Sequence, residues 1–525
     1  MAAKLSSRFK SYLVASITQS LRSQNPPAWL PNTIYTVGNQ VTNSRNIYAA
    51  TKAGSSGPNP GPNTSSGILV DGTVNWIYIG PAFDPSAINS NLYMGLGRTQ
   101  AWPNESIPPT ATADETETKE TLDDLICLLR LTSSNTRQGL KKNEWVTGTV
   151  YHAFTGVEDD ADNPNLYVTV DQTDVFKCID NKNGAASTVK PNARAQGYLV
   201  LADGYVWKYM GSVSNVDLVK FATTDHVPIQ VAAAESGSDQ AQTQENARAG
   251  ELSSFISPYT ALGTGTITTT SVQLVTELGT HPTTPTTGAA TVLASLNAGA
   301  VDHIYVSSPG WSYPTETFAV VSDLAITQPT TQASYTVNLS SGGVSSLTQV
   351  ASGAGYTNAV AVIIGDGAGA TATAVIGGGG VTSVTVDTAG TGYTWARCVI
   401  VAGTRAYAAK AIMGPYAGHG KNITTELSAG TLLISIGVSS AYSPYVVNGE
   451  FRQVSLISSL RSAATSQSNA LALIGPQHPQ WITPTSVPAP NKYVPNTGQL
   501  LYLNNITVVT HATGQEETIK VAITF

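Results

Sequence analysis

The chain has 525 residues, 41% of them hydrophobic, enough for about two to four packed units, yet only 12% are charged. Ser, Thr, Asn and Gly must therefore cover much of the surface, and long charge-rich helices are not expected to dominate. The net charge of -7 excludes an electrostatic grip on nucleic acid or on an anionic membrane, because phosphate binding needs clustered Lys and Arg.

Residues 1–25 place Leu5, Phe9, Leu13, Ile17 and Leu21 at every fourth position, the spacing of an amphipathic helix or docking arm, which Asn25, Pro26 and Pro27 end. This stretch lacks the continuous apolar core and cleavage site of a signal peptide. No run of about 18 apolar residues follows anywhere, so a soluble, unexported protein with no membrane insertion is expected. Residues 26–81 read as a small aromatic β module with short strands around Tyr35, Val41, Tyr48 and Trp76, and the Pro-Gly run from Gly54 to Gly67 reads as loop.

Acidic residues crowd the first turns of a helix expected over Asp114 to Leu131, where Leu122, Leu125, Ile126 and Leu129 make one apolar face. NLYVTV, DVFKCI and YVWKYM alternate apolar and polar side chains as half-buried strands do. The polar stretch Ala232 to Gly250 is either an exposed helix or a linker. From about Ala261 to Gly403 the texture changes to Thr, Gly, Val and Ala, and a repeat emerges. Gly310, Gly353 and Gly390 each lie three positions before Tyr313, Tyr356 and Tyr393, and Ile304, Leu347 and Val384 lie nine before the same tyrosines. Each copy predicts a strand, a tight Gly turn and a return strand with the ring packed inward, at a spacing of roughly 40 residues. Mixed polarity returns in 404–525, which ends in strand periodicity.

Two blocks of strings resemble the dimer-forming baseplate wedge subunit of T-even-type contractile-tailed bacteriophages. The first, Asn91 to about Pro228, contains NLYMGLGRTQAWPNESIPP, NEWVTGTVYHAF and DGYVWKYMGSVSNVDLVKFATTDHVPI; the second, Gly414 to Phe525, contains GHGKNITTELSAGTLLISI, NGEFRQVSLI and QEETIKVAITF. Their order and joint occurrence carry the resemblance, which spans close to half the chain. It implies a mainly β fold, with a β-sandwich body over 82–260 and 404–525, an inserted barrel-like β domain over 261–403, and a few short helices. It also implies a homodimer in contact with other wedge proteins and with tail-fibre attachment proteins, in a virion tail baseplate assembled in the host bacterial cytoplasm. The 26–81 module lies outside this pattern.

That module resembles small carbohydrate-binding modules, in which exposed rings stack on the CH faces of sugars. Trp29, Tyr35, Tyr48 and Trp76 are the ring candidates for glycan contact, and the competing reading makes them the module's own core. Asp159, Asp160 and Asp162 resemble a calcium loop, but Asn163 stands where the turn wants Gly and no Glu closes it, so a solvated turn is preferred. GDGAG at Gly365 to Gly369 lacks the Lys and helix of a phosphate cradle and reads as a hairpin turn. The seven histidines never reach zinc-ligand spacing, and His419, between two glycines, is expected to hold its turn by a side-chain hydrogen bond. Cys127, Cys178 and Cys398, odd in number and far apart, exclude a disulfide scaffold and suit a reducing cytosol. No paired carboxylates or nucleophile elbow stand out, so neither catalytic, metal nor cofactor-binding residues are expected, and the expected role is structural. A receptor- or glycan-binding tail protein is the alternative, and a depolymerase built on β repeats a third reading.

Overall fold

The computed structural model describes residues 28–44, 46–58, 61–63, 68–81, 92–112, 114–131, 134–157, 163–232, 236–276, 279–280, 288–438, 450–458, 481–482, 499–510 and 517–524. The expected N-terminal helix and the acidic turn at Asp159, Asp160 and Asp162 lie outside these residues. About half the chain is strand, and the helices among the described residues are four and short. Mainly β is therefore the fold, as composition and periodicity predict.

In chain order the aromatic module contributes β1 (Ile34–Tyr35), β2 (Gln40–Asn43), β3 (Asn46–Lys52), β4 (Gly54–Ser55), β5 (Ile68–Asp71) and β6 (Val74–Pro81). Next come β7 (Leu92–Gly97), α1 (Glu115–Asp123), β8 (Leu125–Arg130) and β9 (Thr136–Lys141). There follow β10 (Tyr167–Val170), β11 (Asp174–Asp180), β12 (Tyr198–Val200), β13 (Val206–Ser212), α2 (Asn215–Phe221), β14 (His226–Ile229) and α3 (Asp239–Asn246). Leading into and through the Gly- and Thr-rich stretch, the chain forms β15 (Leu252–Phe255), β16 (Thr260–Gly263), β17 (Thr270–Thr276), β18 (Gly279–Thr280), β19 (Thr291–Asn297), β20 (Ala300–Ser308) and β21 (Thr317–Asp323). It continues through β22 (Ser334–Ser340), β23 (Gly343–Ala351), β24 (Ala359–Gly365), β25 (Thr371–Gly377), β26 (Gly380–Thr388), β27 (Ala396–Ala402) and, just past that stretch, β28 (Arg405–Met413). Last are α4 (Ile423–Glu426), β29 (Thr431–Val438), β30 (Glu450–Ser458), β31 (Trp481–Ile482), β32 (Gln499–Thr510) and β33 (Glu517–Thr524).

The chain divides into two compact units, one of residues 1–141, 214–230 and 429–525, the other of 142–213 and 231–428. These boundaries differ from those expected at 82–260, 261–403 and 404–525. The sequence marks where composition changes, whereas strand pairing sets the units: β15 opens the inserted array and pairs with β28, which lies beyond the last Gly-rich repeat.

In the first unit, β31-β8-β7-β30-β32 and β14-β9-β29-β33 form two sheets. Met94, Leu96 and Leu456 from one and Leu432, Ile434 and Ile523 from the other are buried in one core, the arrangement of a β-sandwich. Each such side chain removed from water contributes roughly 1.5–3 kcal/mol. The helix expected over Asp114 to Leu131 is only half as long. Asp114 caps it, accepting the Glu117 N–H at 2.8 Å, but after Asp123 the run LICLLR becomes β8, paired with β7 through Met94↔Leu129 and Leu96↔Cys127. A short apolar run fits either period, and the neighbouring strand decided it.

The second unit contains the sheet β10-β11-β13-β12 and the repeat array. Each Gly-x-x-Tyr copy comprises three strands: a hairpin (β19–β20, β22–β23 or β25–β26), the glycine turn, and a third strand (β21, β24 or β27). The hairpin turns, Ala298–Gly299, Ser341–Gly342 and Gly378–Gly379, all have positive φ at both residues, between 50° and 82°, which gives the backbone twist of a type I′ turn. Tyr313, Tyr356 and Tyr393 are buried, and their hydroxyls accept the N–H of Ala290, Ala333 and Ala370 at 2.8, 3.0 and 3.3 Å. The glycine before each ring is required twice over. Gly310, Gly353 and Gly390 sit at φ 58°, 65° and 65°, and a Cβ there would come within 2.5–2.6 Å of the same alanine nitrogens.

The second and third copies combine into one six-stranded sheet, β23-β22-β27-β24-β25-β26, whose end strands β23 and β26 lie side by side and nearly close a barrel. The pairing is reciprocal. Val344 N–H donates to Ala389 O at 2.8 Å and Val381 N–H to Ser352 O at 2.9 Å, while Val362 and Val399, equivalent residues of β24 and β27, face each other at the centre. A pseudo-twofold axis therefore passes between those two valines. Tyr335, Tyr356, Val381, Val384 and Ile400 fill the interior. On the outer face, Val362, Ile364 and Val399 pack on Phe318 and Val320 of β21.

Candidate functional site

Among the described residues the densest set of buried charges lies in the second unit, around the sequence GHG at 418–420. The two glycines, at φ 88° and 86°, let this turn press against the chain: a Cβ on Gly418 would lie 2.4 Å from Arg248 N, and one on Gly420 2.7 Å from Thr243 Cγ2. His419 is wholly buried between them. Its backbone N–H donates to Glu251 Oε2 at 2.9 Å, and its Nε2 lies 2.7 Å from Ser253 Oγ. Phe154 meets the ring edge-on at a centroid distance of 4.7 Å.

Asn422 caps α4, accepting the N–H groups of Thr424 and Thr425, and Glu426 reaches back to the Asn422 N–H at 3.1 Å in the manner of a capping box. The same carboxylate accepts Gly420 N–H at 3.0 Å and the Lys177 ammonium at 3.3 Å. Lys177, from the middle of β11, also lies over the Phe154 ring, 4.3 Å from its centroid. Lys208 of β13 donates to Gln196 O. Two lysines thus share the pocket of Glu251 and Glu426, which keeps the buried charge near balance.

Electrostatics follow from burial. Loss of water, reinforced by the charges of Lys177 and Lys208, pushes the His419 pKa well below its usual 6.5, so the ring is neutral. Burial lifts the Glu251 carboxyl to about 7 against the opposing pull of Lys208, and lowers the Lys208 ammonium. His419 Nδ1 has no hydrogen-bond partner and lies 3.8 Å from Glu426 Oε2. A tautomer protonated at Nδ1 aims its dipole at that carboxylate and leaves Nε2 to accept the Ser253 hydroxyl. The order Ser, His, carboxylate is that of a nucleophilic relay, but Ser253 and His419 have no exposed surface, so no solute reaches Oγ. The arrangement fixes a turn. His419 was legible as a turn-holding residue; its partner Ser253 was not, because 166 positions separate them. Lys177 was missed because strand alternation alone does not place an ammonium inside.

The ring candidates of the aromatic module are brought together, but inward. Trp29, Tyr35, Tyr48 and Trp76 are 8%, 9%, 0% and 0% exposed. Both indole N–H groups donate to Asp71 Oδ2, at 2.9 and 3.0 Å, and Tyr35 meets Trp76 edge-on at 4.9 Å. A module this small has little else to bury, so the rings build its core, and none keeps the open face that sugar stacking needs. Asp71, which no local motif marks in the sequence, opens the Asp-Gly turn between β5 and β6 and ties the two indoles to the Gly57 N–H at 2.7 Å. The outward side chains of the module include Leu30, Ile34, Ile68 and Val70.

Asp366 of the GDGAG turn accepts the backbone N–H groups of Thr394 and Trp395 at 2.9 and 3.1 Å, a fully internal use of its carboxylate. His303 pairs with Asp180 at 2.9 Å, both buried, a contact the sequence gives no sign of. Cys178 and Cys398 are free thiols. Among the described residues no group of His, Cys, Asp and Glu could hold a metal ion, and no helix is long and apolar enough to cross a membrane. The stretch expected as an exposed helix or a linker contains α3, capped by Ser238, with Gln240, Ala241, Thr243 and Gln244 buried. Compared with known proteins, the chain matches no family model and no curated relative.

Proposed function

We propose that this protein is a structural subunit of the baseplate wedge of a contractile-tailed bacteriophage, acting as a homodimer that holds neighbouring wedge proteins and repacks those contacts when the sheath contracts. The observation that carries the reading is the set of strings at Asn91 to Pro228 and Gly414 to Phe525. Strands from both blocks interleave in shared sheets: β7 with β30, and β9 with β29. Parts of the two blocks far apart in the chain therefore share the core of the first unit, as expected if they are kept together for one body. Further support comes from the low charge, which reduces the desolvation cost of covering broad faces, and from the inward rings of the aromatic module, which disfavour the glycan-binding alternative.

The test is the protein's place and copy number in intact tails, measured by quantitative mass spectrometry and by labelled particles under the electron microscope. Copies in six-fold multiples at the baseplate periphery are expected. Absence from the tail, or location only at fibre tips, would overturn the reading.

A further inference from the structure

We infer that the repeat array holds four three-stranded copies, arranged as two pairs, rather than three, the first copy being split: β15 and β17 open the array, and β28, its last strand, supplies the strand that the first copy lacks.

The strand registers of the split copy match those of the complete ones. In the complete copies the hairpin carries a bulge near its turn, with Ile376↔Val381 followed by Val375↔Ser383, so that Thr382 has no opposite residue. The pair β28–β15 repeats this, with Met413↔Leu252 followed by Ile412↔Ser254, leaving Ser253 unopposed. If Met413 corresponds to Ile376, Ala409 must correspond to Ala372. Ala409 indeed faces Ala319 on β21 as Ala372 faces Ala361 on β24. The third strand agrees as well. β17 pairs with β21 over seven residues centred on Gln273↔Val320, as β24 pairs with β27 over seven centred on Val362↔Val399.

Loop hydrogen bonds complete the correspondence. Tyr313 N–H donates to Gly250 O at 3.1 Å as Tyr356 N–H does to Gly379 O at 2.9 Å. Leu252 N–H donates to Pro309 O at 3.1 Å as Val381 N–H does to Ser352 O at 2.9 Å, and Ile267 N–H to Gly299 O at 2.8 Å as Tyr393 N–H to Gly342 O at 2.9 Å. The split copy has no Gly-x-x-Tyr, with Ile267 at the tyrosine's place, which is why the sequence reveals three copies only.

The four copies thus form two pseudo-twofold pairs, and β28 is the strap that closes the first. Because Gly414 N–H donates to Glu251 O at 2.8 Å, the chain enters and leaves the array at one point. The whole array is a single insertion in the rest of its unit, held there by the bulge: the unopposed Ser253 is the residue that meets His419.

Hydrogen exchange on the full-length chain tests this. Ala409→Gly loosens the strap without removing a polar partner, through backbone freedom and one lost buried methyl. Amides of β15 and β17 are expected to exchange on the order of tenfold faster, together with those of β28, while β22 to β27 change less. In the unaltered protein the β15, β17 and β28 amides should share one opening transition in sub-denaturing urea. If β28 opens apart from β15 and β17, or if β22 to β27 lose as much protection as they do, the inference falls.

Discussion

The two pairs of copies differ in how they seal the seam between their middle strands. In the second pair the seam between β23 and β26 is closed from within: Gln349 donates to Val381 O and to the Tyr335 hydroxyl at 3.0 Å, and Tyr335 donates to the same carbonyl at 3.2 Å. In the first pair the residue in the place of Gln349 is Val306, and the carbonyl in the place of Val381 O is that of Leu252. That carbonyl accepts the hydroxyl of Tyr198, from β12, at 2.9 Å. The facing strand has changed accordingly. Val306 shares a buried cluster with Ile179 and Val206, and His303 is buried against Asp180, whereas Ser346, at the place of His303, is exposed. One duplicated scaffold thus supports a self-sealed member and a member sealed by its neighbour, and side-chain choice at a few seam positions decides which.

The largest effect expected from breaking this comparison is at the ring that both pairs need. Tyr356→Ala empties a fully packed site and leaves Ala333 N–H without its acceptor, so chemical denaturation should report a loss of about 3–5 kcal/mol. Tyr313→Ala should cost a similar amount but expose β19 to β21 to exchange rather than β22 to β27. Equal loss of protection in both pairs from either variant would mean that they do not fold as separate members.

Next in size is a pH dependence confined to the first pair. The folded protein holds the Glu251 proton up to about pH 7, whereas an unfolded glutamate, near 4.5, has released it. The stabilisation is therefore complete below about pH 4.5 and is lost as pH rises to about 7, an effect of roughly 3 kcal/mol. The urea midpoint of the wild type should fall between pH 5 and 7.5 while that of Glu251→Gln changes less over the same range; a wild-type midpoint that stays flat there would refute it.

The smallest effects sharpen the seam itself. Tyr198→Phe should cost about 1 kcal/mol and loosen β15 and β20 alone, and Gln349→Ala should cost about as much and loosen β23 and β26 alone. Local exchange rates would reveal either variant acting on the wrong pair.

Much of this is legible in the sequence alone. The strand content followed from alternation, the glycine-tyrosine units from their spacing, and the helix start near Asp114 from the acidic residues of its first turns. The inward tyrosines needed only the rule that a ring beside a tight glycine turn has nowhere else to go. What failed is the helix carried on through LICLLR, a run with no period that separates strand from helix; for the aromatic module's rings the sequence offers a sugar face or, preferred, a core, and Asp71 between the indoles supports the core.

The sequence by itself determined the mainly β character, three of the four copies and the special backbone at their glycines, because these depend on residues within a few positions of one another. Only the tertiary structure decided the fourth copy, the strap that completes it and the buried charges around His419. Their partners lie up to 249 residues apart, as Lys177 and Glu426 do, and hydrogen bonding across such distances leaves no mark in local composition.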